Sequence, residues 1–247
     1  MEFASEFDAD GAASALTESL RPLGTPERAE QEKRYLKSDL EFFGVTQPVL
    51  RRTVRAAARE YPDLSRADAV AWSLALWDSL VYERRSAAVE VLRLAGAKLI
   101  AADLGTIERL IRESRTWALV DPLAGDITGR IALRHPGAWD RIDGWAGDED
   151  FWVRRSALLS LLPGIRDGRA DLPRFERYAL SMLGEKEFFI RKAIGWVLRE
   201  ISKSDPGWVA VWTAPRAGEM SGVTFREAVR RLPEADAARL RALRDSL

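Results

Sequence analysis

YERRSAAVEVL at residues 82–92 and WVRRSALLSLL at 152–162 are two copies of one pattern: an aromatic residue, a basic pair, a serine, then an apolar run. Apolar residues recur in both at three- and four-residue spacing, the period of an amphipathic helix. Two further segments fall into the same register, WALVDPLAGDI at 117–127 and FIRKAIGWVLR at 189–199. Their leading aromatics, Tyr82, Trp117, Trp152 and Phe189, stand 35, 35 and 37 residues apart. A fixed period of that size marks stacked helix pairs, each too small to bury its apolar face alone. Turn signals such as YPDLSRAD, HPGAW and KSDPGW punctuate the chain at helix-length intervals, and strand-like alternation is nearly absent. The sequence predicts an all-α fold, an α-solenoid of HEAT-like helical repeats with a concave face, forming a single domain over residues 1–247.

The register also exposes its own exception. Four residues after each aromatic stand Ser86, Asp121, Ser156 and Ala193, so one copy carries a carboxylate where the others carry a small residue. Two and three residues after the aromatic stand Arg84 with Arg85, Arg154 with Arg155, and Arg191 with Lys192, whereas the Asp121 copy has Leu119 and Val120. A basic rim interrupted by one acidic, tryptophan-lined spot suits a polyanion held over a carboxylate. Plainer readings stand beside this one. Asp121 before Pro122 fits a helix start, with the aspartate as N-cap and the proline at the first helical position. The basic pairs also fit solvated faces or salt bridges to the next repeat, and Trp117, Trp152 and Trp196 also fit a core.

Composition excludes several chemistries. The 247 residues are 47% hydrophobic, enough for a sizeable core, and 38 basic residues balance 38 acidic ones. Net charge therefore identifies no partner, although Arg greatly outnumbers Lys and suits bidentate phosphate contacts. There is no cysteine, so disulfides, thiolate metal sites and a cysteine nucleophile are ruled out. The single histidine, His135, precedes a proline at a helix boundary and reads as a surface or capping residue. No metal site and no cofactor are implied. The acidic amino terminus has no apolar signal core, and no run approaches the roughly 20 residues of a membrane span. The expectation is a soluble intracellular monomer without membrane contact.

Four segments in order resemble the AlkD-like DNA alkylation repair glycosylases, a family built from HEAT-like repeats. They are RYLKSDLEFFGVTQPVLRR at 34–52, TWALVDPLAGDI at 116–127, FWVRRSALLSLL at 151–162 and KEFFIRKAIGWVLREISKSDP at 186–206. The similarity runs from about Arg34 to Trp208. It implies that Asp121 is the catalytic aspartate and that Trp117 and Trp196 line the cleft around it. It further implies that Arg155 contacts the DNA backbone and that Tyr35 lies beside the cleft. With the basic residues of the repeat, the expected DNA-binding set is Tyr35, Arg154, Arg155, Arg191, Lys192 and Arg199. Two positions depart from the family pattern. Pro122 follows the aspartate where a helix-compatible residue is usual, and Arg191 stands where a neutral polar residue is common.

The implied function is excision of cationic N3- or N7-alkylated purines from double-stranded DNA by a monofunctional glycosylase in base excision repair. The implied location is the cytoplasm, at the nucleoid. Cleaving the N-glycosidic bond builds oxocarbenium character on the deoxyribose, which a carboxylate between indole walls stabilises. A cationic alkylpurine departs neutral and needs no general acid. The sequence has no lysine placed for Schiff-base chemistry and no wedge-like element for base extrusion. The family is similar in gripping the duplex backbone without a conventional flipped-base pocket, which would admit bulky adducts. The alternative is a non-catalytic HEAT-like scaffold that binds DNA or protein.

Overall fold

The computed structural model describes residues 7–247. Among them are helices and turns but no strand, only an isolated bridge between Glu41 and Val81. Contacts divide the chain into one unit ending at Leu123 and a second running from Ala124 to Leu247. The first contains α1 (Ala9–Leu20), α2 (Pro26–Leu36), α3 (Gln47–Arg59), α4 (Arg66–Trp77), α5 (Tyr82–Leu94), α6 (Leu104–Arg112) and α7 (Trp117–Pro122). The second contains α8 (Arg130–Arg134), α9 (Trp139–Trp145), α10 (Phe151–Leu159), α11 (Leu162–Arg166), α12 (Leu172–Met182), α13 (Phe188–Ile201), α14 (Pro206–Thr213), α15 (Gly222–Val229) and α16 (Glu234–Asp245). The all-α, helical-repeat reading holds, and the period has a simple origin. Tyr82, Trp117, Trp152 and Phe189 occupy the first or second position of α5, α7, α10 and α13.

Helix starts follow local chemistry. Asp8, Ser65, Asp150, Asp171, Asp205 and Ser221 each cap a helix by accepting a backbone N–H from its first turn. At Ser65 the cap is reciprocal, because Asp68 accepts the Ser65 N–H in return. Each such cap is worth about 1 kcal/mol.

In the first unit α4 packs against α5 and α1, burying Trp72, Leu76 and Trp77 with Leu16 and Leu20. Each fully buried side chain of this size contributes roughly 1.5–3 kcal/mol. In the second unit α13 packs on α15 at Gly195, where an added Cβ would stand 2.7 Å from Glu227 Cβ and 3.0 Å from the Thr224 carbonyl. Only glycine lets the two helices approach this closely. Phe175 meets Trp208 and Trp212 in a three-ring cluster that joins α12 to α14.

Candidate active site

The start of α7 lies well before Asp121. Thr116 is extended (φ −159°, ψ 143°) and its side chain accepts the Ala118 N–H at 3.4 Å, so the cap lies at Thr116. Asp121 is the fifth residue of the helix and Pro122 its sixth. The reading of Asp121 as N-cap and Pro122 as first helical residue is thereby corrected: the buried threonine fills the cap more than one turn earlier. Inside the helix, Pro122 has no N–H to give the Ala118 carbonyl, and its ring crowds that oxygen. Directly after it the backbone widens into a π-helix over Leu123–Gly129. Such wide turns are uncommon and concentrate at functional positions.

Trp117 and Asp121, four residues apart, share one face of α7. The Trp117 ring is half-buried and meets Tyr35, from the last turn of α2, edge-on at 5.9 Å between centroids and 82° between planes. Tyr35 is 70% exposed. Asp121 is half-exposed, whereas its register mates Ser86, Ser156 and Ala193 are all buried. The repeat position that elsewhere fills the core therefore carries a carboxylate on the same helix face as the Trp117 indole, which itself meets Tyr35.

A polar network in the first unit escaped the sequence reading. Glu83 is fully buried and accepts the backbone N–H groups of Phe43, Gly44 and Val45 at 2.9, 2.7 and 3.0 Å. Gly44 has φ +82°, and a Cβ there would lie 2.2 Å from the Thr25 carbonyl, which explains why the turn carries glycine. Gln47 donates to the Tyr82 hydroxyl and to Ser86 Oγ, both at 3.1 Å. Burial pushes the Tyr82 phenol above its ordinary range, and Glu32 and Glu83 add to the rise. Burial also raises the Glu32 carboxyl, against the lowering effect of Arg28, whose Nη2 donates to it at 2.8 Å. One signal was available. The residue after each leading aromatic is Ala118, Val153 and Ile190 in the other copies, so Glu83 is a charge at an apolar register.

The second unit holds the remaining candidates. Lys192, Trp196 and Arg199 follow one another at spacings of four and three along α13 and share a face. Trp196 is half-buried, and the two cations on either side both pair with Glu227 of α15, Lys192 at 3.2 Å. Arg191 is half-buried, with Nε donating to the Glu185 carbonyl at 2.7 Å. Arg154 forms a two-point pair with Glu185 at 2.7 and 2.9 Å and donates to the carbonyls of Asp148 and Glu149. Arg155 is only 3% exposed and donates from Nη1 to the Phe189 carbonyl at 2.6 Å. Its first-unit counterpart, Arg85, is likewise buried and donates to the Glu113 carbonyl at 2.5 Å. Arg85 and Arg155 thus lie inside the protein rather than on a solvent-facing rim, tying one repeat to the next.

A model of the DNA alkylation repair enzyme family matches residues 16–232. The chain belongs to this family. The AlkD-like resemblance of the four sequence segments is borne out, and with it a role in DNA alkylation repair. A solved structure described as a predicted DNA alkylation repair enzyme from Enterococcus faecalis has a TM-score of 0.78 at 22% identity, covering 85% of this chain and 97% of that one. AlkD2 from Streptococcus mutans has a TM-score of 0.61 at 15% identity, over 91% of this chain and 99% of its own. The smu.31 protein from Streptococcus mutans UA159 gives the same TM-score and identity over 92% and 100%. These likenesses establish a shared helical-repeat fold. No functionally curated protein matches the chain. Among the described residues, no helix is long and apolar enough to cross a membrane.

Proposed function

We propose that this family member is a monofunctional DNA glycosylase that removes cationic N3- and N7-alkylated purines from duplex DNA. One observation carries the reading. Asp121 is a half-exposed carboxylate inside a helix, at a register where three other repeats bury Ser86, Ser156 and Ala193. The start of the helix belongs to Thr116, so helix capping does not account for the charge.

In the proposed reaction the C1′–N bond breaks and its electron pair leaves with the alkylated base, which departs neutral. The Asp121 carboxylate stabilises the positive charge that develops on the deoxyribose, most strongly where water is excluded. The faces of Trp117 and Tyr35 favour the same charge, and Trp196 is proposed as a second indole that meets the DNA. Water then adds to C1′ and loses a proton, leaving an abasic sugar. Tyr35, Arg191, Lys192 and Arg199 are proposed to border the backbone, while Arg154 and Arg155 act on that surface through the helices they hold. The protein is proposed to act as a single-domain monomer at the nucleoid.

Selectivity should follow the charge of the lesion. Duplexes carrying 7-methylguanine or 3-methyladenine should release the free base in single-turnover assays, and matched duplexes with hypoxanthine or ethenoadenine should not. Efficient release of hypoxanthine would require a general acid and overturn this mechanism. No release from any lesion, with duplex binding intact, would favour a non-catalytic scaffold instead.

A further inference from the structure

The cations first expected to meet DNA are largely engaged inside the second unit, yet a chain of zero net charge needs a local excess of positive charge to hold a polyanion. Helix α3 supplies one. Its sequence, QPVLRRTVRAAAR, contains four arginines and no acidic residue. Leu50 and Val54 are buried on one side, and Arg51, Arg52, Arg55 and Arg59 are exposed on the other. Arg51, Arg55 and Arg59 recur at every fourth residue, a stripe about 12 Å long.

The pairing around this stripe is lopsided. Glu90 of α5 is 4% exposed at its side chain and is held by Arg93 of its own helix through two hydrogen bonds, at 2.7 and 2.5 Å. Arg51 and Arg55 approach the same carboxylate only to 3.9 and 3.7 Å, beyond hydrogen-bonding distance, and each side chain is 51% exposed. Arg93 thus already neutralises Glu90 at close range. The carboxylate orients the two α3 guanidinium groups without consuming their donors. Arg52 and Arg59 have no acidic partner among the described residues.

We infer that the exposed face of α3 is a docking surface for the phosphate backbone of duplex DNA, with Arg51 and Arg55, set over Glu90, as its principal contacts. Guanidinium groups suit bidentate phosphate contacts, and two of them one helical turn apart offer two such seats on a rigid element. The inference rests on the proposed function insofar as DNA is the polyanion. It adds a part of the chain that carries no proposed chemistry.

The test is fluorescence anisotropy of the full chain with a lesion-free duplex across a salt series. Arg51→Ala with Arg55→Ala should weaken binding about tenfold or more near physiological salt. The slope of log affinity against log salt should fall by about two units, close to one per lost phosphate contact. Arg51→Lys with Arg55→Lys should keep most of that slope. Thermal melts are expected to match the wild type, since both side chains are half in solvent and outside hydrogen-bonding range. Should the alanine pair alter the melt, Arg52→Ala with Arg59→Ala tests the same face from residues that have no ion pair. Wild-type affinity and slope in folded alanine variants would overturn the inference while leaving the glycosylase reading intact. A wild-type chain that binds no duplex at all would overturn both.

Discussion

Helices α7 and α10 begin in the same repeat register and end up built differently. In α10 the third and fourth residues after Trp152 are Arg155 and Ser156, both buried. Ser156 Oγ donates back to the Trp152 carbonyl at 2.8 Å, and Arg155 donates forward to the Phe189 carbonyl. In α7 the same positions are Val120 and Asp121, followed by a proline that breaks the helical ladder and a π-helical stretch. The first arrangement ties repeats together. The second gives up that tie and presents a carboxylate. On the proposed function, a repeat protein places chemistry at one copy while its neighbours keep the scaffold.

The comparison predicts that the two registers do not interchange. Ser156→Asp would place a carboxylate at a fully buried position, and should cost about 4 kcal/mol in denaturant unfolding. A cost below about 1 kcal/mol would mean that α10 tolerates charge as α7 does. Arg155→Ala should cost about 3 kcal/mol, because it removes a buried guanidinium that donates to the Phe189 carbonyl and empties space beside the Phe189 ring, which lies 5.7 Å from the guanidinium. An unchanged midpoint would leave Arg155 without its structural tie. The smallest effect belongs to Thr116→Ala, about 1 kcal/mol for the lost cap. A silent result there would reopen the question of what starts α7.

Much of this was legible because the repeat writes its geometry into spacing. Tyr82, Trp117, Trp152 and Phe189 mark helix starts, and Asp121 announces itself by breaking a row of small residues. The local role of Asp121 was not legible. Asp-Pro and Thr-Trp are competing start signals five residues apart, and only packing decides that Thr116 wins. The burial of Arg85 and Arg155 was hidden for another reason. Their acceptors, the carbonyls of Glu113 and Phe189, lie 28 and 34 residues downstream, where no pattern in the basic pair points. Glu83 could have been noticed as a charge at an apolar position, but its three backbone partners belong to a loop nearly 40 residues upstream.

The central claim is that Asp121 serves the reaction and not the fold. Asp121→Asn should therefore be measured for release of 7-methylguanine under single-turnover conditions, alongside lesion-free duplex binding and a thermal melt. On the proposed mechanism the charge acts only in the transition state, and the excision rate should fall by at least about 100-fold. Binding should stay within a few fold, and the melt should stay near that of the wild type. An excision rate close to wild type in a variant with a clearly lowered melting temperature would show that the carboxylate holds the helix, and would contradict the account.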